Sequence, residues 1–148
     1  MYYRNVFTVA AKAVIIGREN KMLLLHRSKE EMAKTHPSQS SVWDLPGGSV
    51  KFSETVLEGL LREVKEETNL NVNVLTPFSV YDSIRERHHV TIINYLCTYK
   101  SGKVLVSREH SYYKWVSRND MIDLGVPAWL IRTYEKALML KDQVDKNN

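Results

Sequence analysis

The segment Gly48–Leu70, GSVKFSETVLEGLLREVKEETNL, determines how this chain is interpreted. Its apolar residues recur at the spacing of one helix face: Leu57, Leu60, Leu61 and Val64. The pattern predicts a helix over Glu54–Asn69. Ser53 is the expected N-cap, and Glu54 adds negative charge at the helix start.

Three glutamates, Glu63, Glu66 and Glu67, share one face of this predicted helix because residues three and four apart are neighbours. We expect an apolar stripe centred on Leu57, Leu61 and Val64 to lie about a third of a turn away, which leaves the carboxylates at the edge of a cleft. Clustered carboxylates repel one another, and hard divalent cations prefer oxygen ligands. The cluster therefore suits Mg²⁺ or Mn²⁺ held against a polyphosphate.

Arg62 follows Glu58 by four residues, the favourable order for an ion pair on a helix. It also lies close enough to the three glutamates to fix one of their rotamers. The alternative is a solvated surface helix, because the fragment Arg62–Glu67 alone is of a common type. The full spacing is much less common, since it should arise by chance on the order of once per million chains of this length.

Gly48–Leu70 resembles the Nudix box: Gly, five residues, Glu, seven residues, Arg-Glu, an aliphatic residue, any residue, Glu-Glu, any residue, Gly, an aliphatic residue. The lead-in Trp43–Gly48, WDLPGG, also resembles the family. One position departs from the pattern, because Asn69 stands where the family has Gly. Asn is the next most tolerant residue of a left-handed helix exit, so we expect a small loss of stability and no loss of chemistry.

The resemblance implies an α+β Nudix fold, a mixed β-sheet sandwich flanked by helices. It implies a metal-dependent hydrolase that cleaves a nucleoside diphosphate derivative, with Mg²⁺ as cofactor and Mn²⁺ as the substitute. The expected metal ligands are the Gly47 carbonyl, Glu63, Glu66 and Glu67. Arg62 and Glu54 support them.

The general base has three candidates by this resemblance. Glu63 is the first choice, Glu109 is the best candidate outside the box, and Glu86 is the runner-up. Arg27 and Arg87, together with Arg85, are candidates for binding substrate phosphates. Trp43, Tyr81 and Phe78 are candidates for stacking on a base, although core packing is favoured for each of them.

The remaining sequence predicts one domain over residues 1–148, with a frayed tail over 142–148. We expect an exposed loop over Ser28–Ser41 and a short helical turn after a capping box from Ser117 to Asp120. The predicted strands are Val6–Ile16, Lys21–Arg27, Asn71–Asp82, His88–Tyr99, Lys103–Ser107 and Tyr112–Val116. The last predicted helix is Pro127–Lys141.

Composition sets the remaining expectations. The net charge is +4, but lysine and arginine are scattered along the chain, so no stable nucleic-acid complex is expected. The single cysteine, Cys97, lies in an apolar run and is expected to be buried and reduced, and the histidines do not form a zinc set with it. No run is long enough for a membrane span, and the N-terminus lacks the apolar core of a signal peptide, so we expect a cytoplasmic protein, a monomer or homodimer.

The short chain resembles the MutT-like subgroup, which favours a nucleoside triphosphate substrate, including oxidised forms, cleaved to the monophosphate and pyrophosphate. One alternative is a catalytically silent Nudix-fold module that binds or senses a nucleotide. Intact box glutamates weigh against that alternative. An isoprenoid diphosphate isomerase on the same fold ranks lower, because the chain is short and has no convincing catalytic cysteine.

Overall fold

The computed structural model describes residues 4–34 and 41–148. The His36-Pro37 pair of the expected loop lies outside these residues. Within these residues, seven strands form one mixed sheet: β1 (Val6–Ile16), β2 (Met22–Arg27), β3 (Trp43–Asp44), β4 (Gly47–Ser49), β5 (Asn71–Arg85), β6 (His88–Ser101) and β7 (His110–Val116). The helices are α1 (Lys29–Lys34), α2 (Val56–Thr68), α3 (Arg118–Asp123) and α4 (Ala128–Lys146).

The sheet separates two apolar clusters, and alternation along β1 supplies both of them. Val14 and Ile16 pack with the α4 residues Leu130, Tyr134 and Ala137. Ala13 and Ile15 point to the opposite face and pack with the α2 residues Leu60 and Val64. A mixed sheet flanked by helices confirms the predicted α+β fold class.

The strand order is β3-β2-β1-β6-β5, with β4 paired to β1 and β7 paired to β2. The two central strands, β1 and β2, pair at Ile16 and Met22 and then diverge. The segment that contains β3 and β4 fills the resulting gap, because β3 pairs with β2 and β4 pairs with β1.

The helix that carries the glutamates begins later than predicted. Thr55, not Ser53, is its N-cap, and Thr55 forms a reciprocal capping box with Glu58. Ser53 instead adopts a positive φ of 69° in the preceding loop. At the other end, Asn69 has φ 65° in the left-handed region, as expected, and its side-chain amide donates to the Lys103 carbonyl at 3.2 Å.

The buried face of α2 is also rotated from the predicted stripe. Leu57 and Leu61 are 45% and 42% exposed. The buried positions are Gly59, Leu60, Val64, Glu67 and Thr68. A carboxylate therefore takes part in the buried face, which a count of apolar residues does not anticipate.

Three other expectations are corrected. The predicted loop Ser28–Ser41 contains α1, where the Ser28 hydroxyl accepts from the Glu31 backbone N–H at 3.2 Å. Lys103–Ser107 is not a strand, although Val104 in it is buried. The last helix extends to Lys146, through most of the segment expected to fray.

Cys97 is fully buried, as predicted, and burial raises the pKa of its thiol to about 12. Within residues 4–34 and 41–148, no helix has both the length and the apolar composition needed to cross a membrane.

Candidate active site

Arg62 organises the exposed side of the glutamate face. Its guanidinium donates to both carboxylate oxygens of Glu54, each at 2.8 Å. It also donates to Glu63 at 3.0 Å, to Glu66 at 3.3 Å and to the Ser49 carbonyl at 3.1 Å. The planar fork of arginine thus fixes the directions of three carboxylates.

The charges in this group stabilise one another. Hydrogen bonds from Arg62 and from the Lys51 backbone N–H hold the pKa of Glu54 at about 2. The hydrogen bond to Glu54 raises the pKa of Arg62 above its usual range. Contact between Arg62 and the glutamates is therefore confirmed, whereas the expected pair with Glu58 is wrong because Glu58 caps the helix.

Glu67 lies on the inner side of the helix and is 5% exposed. One of its oxygens accepts from the Gly47 backbone N–H at 2.9 Å. Burial raises the pKa of Glu67 to about 8, although Lys12 and the Gly47 N–H both act to lower it. A buried carboxylate with this pKa is poorly compensated within the chain.

Glu109 and His110 approach Glu67 from the start of β7. One ligand atom from each of the three residues lies within 4.8 Å of the others. His110 is buried, and its Nδ1 atom has no hydrogen-bond partner among the described residues. The under-compensated Glu67 and the neighbouring oxygens of the glutamate face fit a divalent cation, and Glu109 and His110 flank that position.

Lys12 and Asp44 form a second charged pair in the gap between β1 and β2. The Lys12 ammonium lies 3.3 Å from an Asp44 carboxylate oxygen, 3.3 Å from the Leu45 carbonyl and 3.5 Å from the Gly47 carbonyl. Burial alone would raise the pKa of Asp44, but Lys12 and His110 outweigh burial and hold it at about 2. Burial alone would lower the pKa of Lys12, yet Asp44 and Glu67 raise it above its usual value.

A cavity of about 690 Å³ opens from this pair on the α4 side of the sheet. We call it the side pocket. Its lining combines rings, cations and carboxylates: Lys12, Arg27, Ser41, Trp43, Asp44, Tyr81, Asp82, Ser83, Arg85, Ile92, Pro127 and Trp129. The buried Nη1 atom of Arg85 has no hydrogen-bond partner among the described residues, so a ligand acceptor would satisfy it.

The structure brings most of the predicted site residues together. The first group surrounds the box helix: Gly47, Arg62, Glu63, Glu66, Glu67 and Glu109. Arg27 lines the side pocket instead. Arg87 and Glu86 are at the β5–β6 turn and line a different cavity, next to Phe7 and His88.

Sequence reasoning overlooked Lys12, Asp44 and His110 as site residues, and it gave Arg85 a minor role. Lys12 did carry a signal, because it is the one charged residue within Val6–Ile16. No histidine was predicted to be a site residue, yet His110 is buried beside Glu67. Of the proposed stacking residues, Trp43 is 6% exposed and packs in the core, whereas Tyr81 is 42% exposed and faces the side pocket.

We expect Gly47→Ala to destabilise the fold by more than about 3 kcal/mol. Gly47 has φ +136°, and an added Cβ would collide with the Ala11 carbonyl oxygen on β1. Gly125→Ala is the matched control, because Gly125 also has a positive φ (+70°) but open space around it. Its expected loss is about 1–2 kcal/mol. Urea unfolding of both variants tests the difference, and equal losses would contradict the predicted collision.

Comparisons with known proteins agree with this geometry. The family model described as "NUDIX domain" matches residues 6–137. An ADP-ribose pyrophosphatase from Methanocaldococcus jannaschii is 37% identical over 113 residues, which are 75% of this chain and 63% of that relative. The nucleoside triphosphatase NudI from Escherichia coli is 30% identical over 97 residues, 57% of this chain and 69% of the relative.

Among solved structures, the MutT protein from Methanosarcina mazei Go1 superposes with a TM-score of 0.73 at 26% identity, covering 95% of this chain and 99% of that one. The spaced glutamates, the loop–helix geometry and the match over residues 6–137 agree. The chain therefore belongs to the Nudix family of hydrolases, the pyrophosphohydrolases that carry a NUDIX domain.

Proposed function

We propose that this protein hydrolyses a nucleoside triphosphate, including oxidised forms, to the monophosphate and pyrophosphate with the help of Mg²⁺ or Mn²⁺. The observation that carries the proposal is the closeness of the side pocket to the glutamate face. Lys12 and Asp44 line the pocket, and Lys12 also contacts the carbonyl of Gly47, which is in the glutamate group. A nucleotide seated in the pocket would extend its phosphates towards the box.

The side pocket suits a nucleoside. Trp129 and Tyr81 present partly exposed rings for stacking, at 46% and 42% exposure. Arg85 offers an unsatisfied N–H and Asp44 an acceptor, so polar groups on a base edge have partners of both kinds. Ligand sites typically combine apolar rings with a few such convergent polar groups.

The proposed cation ligands are Glu63, Glu66, Glu67 and the Gly47 carbonyl. A divalent cation held there would polarise the phosphate and neutralise the charge that develops on its oxygens. Arg62 keeps Glu63 and Glu66 in fixed directions through its hydrogen bonds. Glu67 is oriented by the Gly47 N–H.

Glu109 is the proposed general base. Its exposed carboxylate lies within 4.8 Å of the Glu67 and His110 ligand atoms, whereas an oxygen of Glu63 is engaged by Arg62. In the proposed step, the water oxygen attacks phosphorus and Glu109 takes the water proton. The anhydride P–O bond breaks, and its electron pair leaves with the pyrophosphate.

The similarity to the Methanocaldococcus jannaschii ADP-ribose pyrophosphatase supports a second candidate substrate, ADP-ribose. The side pocket, at about 690 Å³, would then hold one end of a longer molecule. The active unit is proposed to be a monomer or homodimer with a small-molecule substrate and no stable nucleic-acid complex.

A substrate panel tests both candidates. We expect Mg²⁺-dependent release of pyrophosphate from canonical or 8-oxo nucleoside triphosphates, and loss of that activity with EDTA and its return with added Mg²⁺. ADP-ribose, nucleotide sugars and dinucleoside polyphosphates form the comparison set, with products identified by anion-exchange chromatography. Faster turnover of ADP-ribose would replace the first candidate with the second. No turnover by folded protein that binds Mn²⁺ would favour a silent nucleotide-binding module.

A further inference from the structure

Lys12 lies outside the Nudix box, so the box pattern does not explain why a lysine is found here. It lies on β1 between Ala11 and Ala13, both fully buried, and its own side chain is 21% exposed. Its ammonium reaches the gap between β1 and β2 and contacts oxygens of Asp44, Leu45 and Gly47. A lysine in an otherwise apolar strand must have partners, because an isolated buried charge is strongly unfavourable.

The hydrogen bonds that Lys12 makes to its partners are long. Its three contacts measure 3.3, 3.3 and 3.5 Å. Charge-assisted hydrogen bonds are typically about 2.7–2.9 Å. The ammonium is therefore shared among several oxygens without a short bond to any of them, and its exposed part lines the side pocket.

Lys12 also differs from the other cations of the pocket. Arg27 and Arg85 line the pocket as well, and Lys12 in addition reaches the Gly47 carbonyl, next to which the Gly47 N–H binds Glu67. A substrate that extends from the side pocket to the glutamate face must pass the ammonium. The part that passes is the diphosphate, because the pocket would hold the nucleoside and the glutamates the reacting phosphate.

We propose that Lys12 binds the non-bridging oxygens of the substrate's diphosphate from the side opposite the box glutamates, and so determines the affinity for the phosphate chain. This inference rests on the proposed nucleotide hydrolase function. It adds a residue outside the box to the phosphate-binding groups.

The position of Lys12 also affects how tightly the free protein binds a divalent cation. Before a diphosphate binds, the ammonium lies next to the Gly47 carbonyl and near Glu67, two proposed cation ligands, so its positive charge repels a divalent cation. A diphosphate between them would reverse the effect, since both the lysine and the cation attract it. Lys12 therefore weakens cation binding to the free protein and strengthens substrate binding.

The opposite effects on substrate binding and cation binding distinguish the proposed role of Lys12 from a purely structural role. In Lys12→Met we expect KM for the best nucleotide to rise roughly 10- to 100-fold, with a much smaller change in kcat. We expect Mn²⁺ to bind the substrate-free variant several-fold more tightly, as measured by electron paramagnetic resonance of free Mn²⁺. Lys12→Arg, which retains the charge, should restore most of the nucleotide affinity.

Lys114→Met is the matched control. Lys114 is exposed on β7 and does not line the side pocket, so removing its charge should leave KM and Mn²⁺ affinity within about twofold of wild type. A parallel loss of nucleotide and Mn²⁺ affinity in Lys12→Met, with a lower melting temperature, would show that Lys12 only supports the 44–47 segment and would overturn the proposal.

A double variant covers the case in which Lys12→Met fails to fold because Asp44 is left without its lysine. Lys12→Met/Asp44→Asn removes both charges, which buried pairs tolerate better than the loss of one partner. Because Asp44 itself lines the side pocket, the reference is Asp44→Asn alone. KM should be higher in the double variant than in Asp44→Asn, and equal KM values would refute the proposal. If the wild type hydrolyses no nucleotide, the proposed function fails, and the Mn²⁺ measurement still decides whether Lys12 repels the cation.

Discussion

Replacing Glu63 with Gln is expected to lower kcat by roughly 10²–10⁴-fold while the protein remains folded. Glu63 lies against Gly48, where an added Cβ would come within 2.8 Å of the Glu63 carboxyl carbon. Gln has the same shape, so this packing is retained. The variant loses the negative charge, and with it a proposed cation ligand whose direction Arg62 fixes.

Glu58→Gln provides the control for the Glu63 experiment. Glu58 is on the same helix, but it serves the capping box with Thr55, a role that Gln also performs. We expect its kcat to stay within about twofold of wild type. Steady-state kinetics with circular dichroism on both variants gives the comparison. If Glu63→Gln and Glu67→Gln both kept near-wild-type rates, the proposed metal site would be wrong.

The affinity for divalent cations is expected to rise about 50-fold between pH 6 and pH 8, because of Glu67. Burial raises its pKa to about 8, so at pH 6 the carboxyl is mostly protonated and cation binding must displace the proton. One displaced proton gives a tenfold change per pH unit below the pKa, and the affinity should level off above about pH 8. Isothermal titration with Mg²⁺ at several pH values, in buffers of different ionisation enthalpy, measures both the affinity and the released proton.

The stability of the metal-free protein should fall as the pH rises, whereas the cation affinity increases. The folded-state pKa of Glu67 lies above its model value of 4.5, so the fold favours the neutral carboxyl. This contribution is complete below about pH 4.5 and is lost as the pH rises through about 8. Glu67→Gln stays neutral, so both its cation affinity and its stability should lose this pH dependence. A wild-type affinity that did not vary with pH would contradict the assignment of the proton to Glu67.

The box helix and its three glutamates were accessible to sequence reasoning because they follow a local rule. Glu63, Glu66 and Glu67 are neighbours on any α-helix, whatever the rest of the chain does. Which face of that helix is buried was predicted wrongly, however. Apolar counting selected Leu57 and Leu61, whereas the sheet buries Leu60, Val64 and the carboxyl of Glu67, because the Gly47 N–H supplies a partner for that group.

The residues of the side pocket could not be predicted in this way, because they are brought together by strands far apart in sequence. Lys12 and Asp44 meet only because β1 and β2 diverge and the segment that contains β3 and β4 fills the gap. Arg85 and Arg87 are two residues apart on one hairpin, yet one lines the side pocket and the other does not, because the β5–β6 turn intervenes. Spacing alone does not reveal where a strand ends relative to a pocket.

The pairing of β2 with β7 affects the order in which the parts of the chain fold. It joins residues 22–27 to residues 110–116, as the His26–Ser111 hydrogen bond across 85 positions illustrates. Closing so long a loop carries a large entropic penalty that local helix formation does not, so this pairing should form late in folding. During synthesis, β2 cannot pair with β7 until β7 has left the ribosome. Glu109 and His110 emerge together with β7. A nascent chain that already displays the complete box is therefore expected to be inactive until residues 110–116 have emerged.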